Sequence, residues 1–230
     1  MRAVLYDVHG NLPALEAVLA DARTAGAERF VLGGDYALFG ALPRETFERL
    51  RELDAVAIRG NTDRWLTDHS DAPATPLVLR SLAYCRDALG QALSDELAAM
   101  PASSDVDGVL FCHASPRSDM LSFAPQPTGA DNELLEPEDP DVVVFGHTHV
   151  QFKREAGERL LVNPGSVGLP FDGDPRAAYA LWRGGRDFEQ RRVAYDTDAY
   201  VAEVRKSMGV TLEDAVETLV RRIERAAFVD

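Results

Sequence analysis

The chain has 230 residues, 46% of them hydrophobic and 27% charged, the composition of an ordinary globular protein long enough to bury a core without staples. Two cysteines, Cys85 and Cys112, exclude a disulfide framework and point to a reducing, cytoplasmic setting, and no apolar run approaches the roughly 20 residues of a membrane helix. Twenty-four Lys and Arg against 38 Asp and Glu leave a formal net charge of −14, which argues against duplex nucleic acid, because that partner demands a basic stripe to displace counterions.

In chain order, Ala3, Val4, Leu5 and Tyr6 run straight from the start into Asp7 with no signal-peptide anatomy, so no export is expected. Leu15, Val18, Leu19 and Ala22 then form a helical stripe, with Asn11 as N-cap and Pro13 in the first turn. Further short apolar runs follow: 30–32 into Gly33, Gly34 and Asp35; 55–58 into Gly60 and Asn61; 109–112 into His113; and 142–145 into Gly146, His147, Thr148 and His149. Near-continuous runs of this length suit strands buried on both faces, and their alternation with helical stretches predicts an α/β layered sheet with ligands beyond the carboxyl ends of the strands.

Asn61 reads as an N-cap for a helix beginning near Arg64. Residues 65–100 read as mostly helical after the break at Pro73 and Pro76. Residues 116–140 hold five prolines and most of an acidic run with six acids and no base between Asp131 and Asp141, so they are expected to form an irregular active-site border. Beyond His149, 150–153 with 159–162 and 177–182 with 188–193 read as two antiparallel hairpins, predicting a mixed or second sheet in the C-terminal half. Thr211 followed by Asp214 resembles a capping box ahead of an apolar stripe of Leu212, Ala215, Val216, Leu219, Val220 and Ile223. That helix would close an extension over 197–230 and pack on the sheet or on a second copy of the chain, which keeps a homo-oligomer among the expectations. No linker divides the chain, and a single domain over 1–230 is expected.

Four of the five histidines, 9, 113, 147 and 149, fall at the ends of predicted strands. Singly, each has a bland reading as a loop or turn residue, and Asp7 and Asp35 could simply end strands. Together, Asp-x-His-Gly-Asn, Gly-Gly-Asp, Gly-Asn-Thr-Asp, a strand-end His and Gly-His-x-His make the set expected of a dinuclear metal site. Carboxylate and imidazole donors suit borderline divalent ions, manganese, iron, cobalt, nickel or zinc. Two such ions can clamp a phosphoryl group and activate water. Set against two aspartates and a hydroxide they leave the pocket about +1, which attracts an anionic substrate despite the acidic surface.

These motifs, with Asn163-Pro164-Gly165-Ser166-Val167-Gly168 after the histidine pair, resemble the calcineurin-like metallophosphoesterase superfamily, in particular its small bacterial phosphodiesterases, from residue 1 to about residue 195. The resemblance implies a four-layer α-β-β-α sandwich with two mixed β-sheets. It implies that Asp7, His9, Asp35 and His149 bind one metal and Asp35, Asn61, His113 and His147 the other, with Asp35 bridging and manganese the first choice of ion. The implied reaction is attack on a small phosphate ester or nucleotide pyrophosphate by a hydroxide held between the metals, with Asp35 and Asn61 central to catalysis. Asn11 and Arg117 are candidates for contacts to substrate phosphate.

Thr62 stands where many relatives carry a histidine thought to protonate the leaving group, and a threonine hydroxyl cannot do so near neutral pH. His69, on the following segment, reads as a solvated histidine rather than a substitute. Two other functions compete. A noncatalytic scaffold of the same fold, as in the retromer's metallophosphoesterase-like subunit, is favoured only by Thr62, since scaffolds tend to lose ligands. A metal-dependent amidohydrolase would be a barrel, often with a lysine between its metals, and this chain has only Lys153 and Lys206.

Overall fold

The computed structural model describes residues 1–229. The chain runs β1 (Arg2–Leu5), α1 (Leu12–Thr24), β2 (Arg29–Leu32), α2 (Pro43–Arg51), β3 (Ala55–Ala57), α3 (Asn61–Trp65), α4 (Pro76–Ala98), β4 (Ser103–Val106) and β5 (Val109–Cys112). It continues through α5 (Asp131–Leu134), β6 (Val142–Val144), β7 (Phe152–Ala156), β8 (Arg159–Asn163), β9 (Ala177–Gly184), β10 (Asp187–Val193), α6 (Thr197–Leu212) and α7 (Ala215–Arg225).

Two five-stranded sheets form, in the orders β10-β9-β1-β2-β3 and β4-β5-β6-β8-β7. In the first, β1, β2 and β3 are parallel and β9 and β10 antiparallel. In the second, β5, β6 and β8 are parallel and β4 and β7 antiparallel. Both sheets are therefore mixed, as expected. The two C-terminal hairpins form, but they part company: β7-β8 joins the second sheet, whereas β9-β10 returns to pair with β1. A hairpin's alternation specifies its own register but not the edge it docks on, so this division was not readable from the sequence.

Alternate faces of the strands build the layers. Val4, Tyr6 and Val31 of the first sheet meet Phe111, Val144 and Val162 of the second, with Trp182 between them. On the outer face of the first sheet, Leu15, Val18, Leu19 and Ala22 of α1 pack with Phe47 of α2 and Leu82, Cys85 and Leu89 of α4. On the outer face of the second sheet, Phe123 and Leu134 cover Val143, Phe145 and Leu161, while Met120 of the same 116–140 stretch lines the cavity at the strand ends with His147 and His149.

Three local expectations need correction. Asn61 is the first residue of α3, and Gly60 is its N-cap. The terminal helix does not start from a capping box at Thr211: α6 runs to Leu212, Glu213 breaks it with φ 50°, and Asp214 precedes α7 without a side-chain cap. The stripe from Leu212 to Ile223 packs on Leu77 of α4 and on Tyr200, Val204 and Met208 of α6, so this chain's own helices cover it.

Candidate metal centre

Five of the parallel strands end at one place. Asp7 follows β1, Asp35 follows β2, Asn61 follows β3, His113 follows β5, and His147 and His149 follow β6. Their loops interlock by main-chain hydrogen bonds: Asp7 N donates to Gly34 O at 3.1 Å, His9 N to Asp35 O at 2.9 Å, and Gly146 N to His113 O at 2.8 Å. Two glycines permit the approach. A Cβ on Gly60 would lie 2.1 Å from Asp35 Oδ1, and one on Gly146 would lie 2.6 Å from Asp7 Oδ2.

Asp7, His9, Asp35 and His149 are all buried and each offers a donor atom within 4.8 Å of the others. The hydrogen bonds specify the tautomers. The Nδ1 atoms of His9, His113 and His149 face the carbonyl oxygens of Leu38, Gly33 and Leu169 at 2.8, 2.9 and 2.5 Å. A carbonyl only accepts, so each Nδ1 carries a proton and each Nε2 of a neutral ring presents a lone pair. Those lone pairs converge. His9 Nε2 and His149 Nε2 are 3.0 Å apart, and His113 Nε2 is buried with no hydrogen-bond partner. Acceptors facing one another in a dry site repel unless a cation lies among them; this donor set therefore fits a metal.

Asp35 stands in the middle. Its Oδ2 is 3.8 Å from His9 Nε2 and its Oδ1 is 3.5 Å from His113 Nε2. The two oxygens thus face His9 and His113 separately. On the second side, His147 Nδ1 and Asn61 Oδ1 are 3.1 Å apart.

Burial and neighbouring charge push these groups in different directions. Burial disfavours charge on His9 and His149 and pushes both below the usual imidazole range, and burial with the nearby charge of His113 takes His147 down to about 4. Against its own burial, His113 is raised to about 10 by the Asp35 carboxylate. Burial raises Asp7, whereas Asp35 is held below the carboxylate range because the attraction of His113 and His9 outweighs its burial.

The backbone reports the same place independently. Asp7, His9, Asp35, His147 and His149 all have positive φ, between 47° and 65°. Such conformations cost on the order of 1–3 kcal/mol each for residues other than glycine, and they cluster where function over-determines geometry.

Asp63, which sequence reasoning passed over, accepts hydrogen bonds from Asp35 N at 2.7 Å, Gly60 N at 2.8 Å and Tyr36 N at 3.1 Å. It ties the Asp35 loop to the start of α3. Its acidic type at the third position of a helix was the available signal. Burial and repulsion from Asp35 raise it to about 7. The loop after β8 is a brace: Asn163 Nδ2 donates to Gly146 O at 2.9 Å, and Ser166 Oγ donates to Asp7 O at 2.7 Å.

The two candidate substrate contacts are held differently. Asn11 is fully buried, its Oδ1 accepting from Ala14 N while its Nδ2 donates to Gly168 O and Tyr195 Oη; bracing that loop uses both of its N–H groups. Arg117 pairs with Glu136 and lines a second cavity with Arg59 and Asp119, which His113 also borders. His69 is exposed beside Arg86 and lines another cavity.

The ligands open into a cavity of about 560 Å³. His9, Asp35, Asn61, His147 and His149 form its floor with Thr62, while Asp7 and His113 lie beneath the surface. Thr62 N donates to Asp35 Oδ1 at 3.0 Å, and its buried hydroxyl has no hydrogen-bond partner.

The sequence model of the calcineurin-like phosphoesterase superfamily domain matches residues 1–183. An uncharacterized protein of Methanocaldococcus jannaschii is 29% identical over 85% of this chain and 88% of its own. The Escherichia coli protein called phosphodiesterase YfcE is 29% identical over 76% of this chain and 83% of its own. Among solved structures, a metallophosphoesterase from Sphaerobacter thermophilus superposes with a TM-score of 0.81 at 26% identity, covering 98% of both chains.

Proposed function

Because the chain belongs to the calcineurin-like phosphoesterase superfamily, we propose that it is a dinuclear metal-dependent phosphodiesterase acting on small phosphate esters or nucleotide pyrophosphates. The observation that carries this reading is the convergence of three Nε2 lone pairs on two buried carboxylates, with the oxygens of Asp35 divided between His9 and His113. The name of the YfcE relative supports diester substrates. When bound, two divalent ions, manganese first among the candidates, supply a water acidic enough to ionise near neutral pH and offset charge on the phosphoryl oxygens.

The chain's own residues do the rest. Asp7, His9, Asp35 and His149 hold one ion, and Asp35, Asn61, His113 and His147 hold the other. The carbonyls of Leu38, Gly33 and Leu169 keep three imidazoles in the ligating tautomer, which fixes ring orientation and raises ligand basicity. Asp63 and Asn163 hold the loops at their working separation.

Thr62 defines the substrate preference. Among the described residues, no side chain lining the cavity other than the ligands titrates near neutrality, so no general acid waits for the leaving group. Good leaving groups, aryl esters or nucleoside phosphates leaving from a pyrophosphate, are favoured over alkyl monoesters. Positioned acid catalysis is worth roughly 10²- to 10⁴-fold. Thr62→His should therefore raise turnover of poor-leaving-group esters by at least about 10-fold and leave bis-p-nitrophenyl phosphate nearly unchanged. No rise in a variant with unaltered metal content contradicts this role. The reading as a whole is tested by metal analysis of the purified protein and a phosphate-ester panel with each ion. A scaffold of the same fold would hold metal and cleave nothing.

A further inference from the structure

We propose that the C-terminal helix pair gives this site a subsite for a flat aromatic substituent of the phosphoester, with Phe228 as its outer wall. The inference rests on the phosphoesterase reading for the position of the phosphate, and its outer wall, Phe228 with Arg222, lies beyond the 1–183 region matched by the family.

The metal ligands occupy only the floor of the cavity. Its walls include Phe39, Trp65, Met120, Phe171 and Phe228, and the polar side chains apart from the ligands are three threonines and Arg222. About 560 Å³ is far more room than a phosphate group needs and falls in the range that holds a small organic ligand. Two rings sit against the ligands themselves: Phe39 is 5.7 Å from the His9 ring, and Phe171 stacks on His149 at 4.5 Å with an interplanar angle of 21°. Phe228 meets Phe171 edge-on at 5.7 Å, which extends the aromatic surface outward from the metal ligands.

Phe228 is brought there by a specific turn. Ala226 caps α7 in the left-handed conformation (φ 47°, ψ 46°), and its carbonyl accepts from Gly173 N at 2.9 Å. The chain then reverses, so that Arg222 Nε donates to Val229 O at 2.8 Å and the guanidinium lies 4.1 Å from the centre of the Phe228 ring. The ring nevertheless remains 65% exposed. A large apolar side chain held in place, yet left uncovered at the rim of a cavity, is positioned for a ligand to cover it. Aromatic faces and edges favour a flat π partner, a nucleobase or an aryl group, over a saturated chain. The few hydrogen-bonding groups predict little discrimination among such rings. Arg222 acts as a positioning residue for Phe228.

The test is titration calorimetry of the manganese-loaded protein with phenylphosphonate and methylphosphonate, which share the phosphonate and differ in the substituent. Wild-type protein should prefer phenylphosphonate. Stacking on one ring changes binding by roughly 5- to 100-fold, so Phe228→Ala should weaken phenylphosphonate by about that factor, leave methylphosphonate within about two-fold, and be rescued by Phe228→Tyr. No phenyl preference in the wild type, or an equal change for both ligands in Phe228→Ala, overturns the subsite. A protein that keeps the Phe228-dependent preference but hydrolyses no ester supports the subsite and overturns the proposed reaction.

Discussion

Asp35→Ala is expected to lower hydrolysis of bis-p-nitrophenyl phosphate by more than about 10³-fold, roughly 4 kcal/mol of transition-state stabilisation, and to lose bound metal. The size follows from position. Asp35 is the residue whose two oxygens face both halves of the site, one toward His9 and one toward His113. Its removal leaves the imidazoles with Asp7 as their remaining carboxylate. Asp63→Asn makes a graded comparison, because Asp63 touches backbone amides and no ligand side chain. Partners that only orient ligands typically contribute 10- to 100-fold, so this variant should fall between Asp35→Ala and the wild type. Metal content and circular dichroism of each variant separate loss of the site from loss of the fold. Full activity in well-folded Asp35→Ala would contradict the assignment.

Chelation should have the second-largest effect, on activity and stability together. The candidate ligands converge as lone pairs and carboxylates, and five of them adopt positive φ, so on the proposed reading a cation offsets repulsion and backbone strain in the folded site. A ligand that binds only the folded state at about 100 times its Kd stabilises by roughly 2.7 kcal/mol. In a chain of this length that corresponds to a rise in Tm of about 5–10 °C. Removing the metal should therefore abolish hydrolysis and lower Tm by about that amount, with both recovered on adding manganese. An unchanged Tm with activity retained after exhaustive chelation would exclude a metal at this site.

How much of this was legible in the sequence depended on the kind of information each residue carries. Asp7, Asp35, Asn61, His113, His147 and His149 could be grouped because each follows a short apolar run, and parallel strands in an α/β layer deliver their carboxyl ends to one edge, even where the strand, like β3, is a half-exposed edge. The division of β7-β8 and β9-β10 between the sheets was hidden, since edge choice depends on tertiary packing. Asn11 and Arg117 have side-chain types that suit phosphate, but direction decides, and the fold turns one inward beneath the site and the other toward Glu136. Asp63 was half visible as a helix-start acid, yet its reach to Asp35 N spans two strands. The aromatic wall was least legible of all. Phe39, Trp65, Phe171 and Phe228 share no spacing, and only the C-terminal reversal at Ala226 brings the last of them to the cavity.

The most direct measurement is an anomalous-difference map from a crystal of the protein grown with manganese. Two peaks about 3.5–4 Å apart are expected, one among Asp7, His9, Asp35 and His149 and the other among Asp35, Asn61, His113 and His147. A single peak would contradict the dinuclear mechanism, and no peak between these side chains would contradict the metal centre itself.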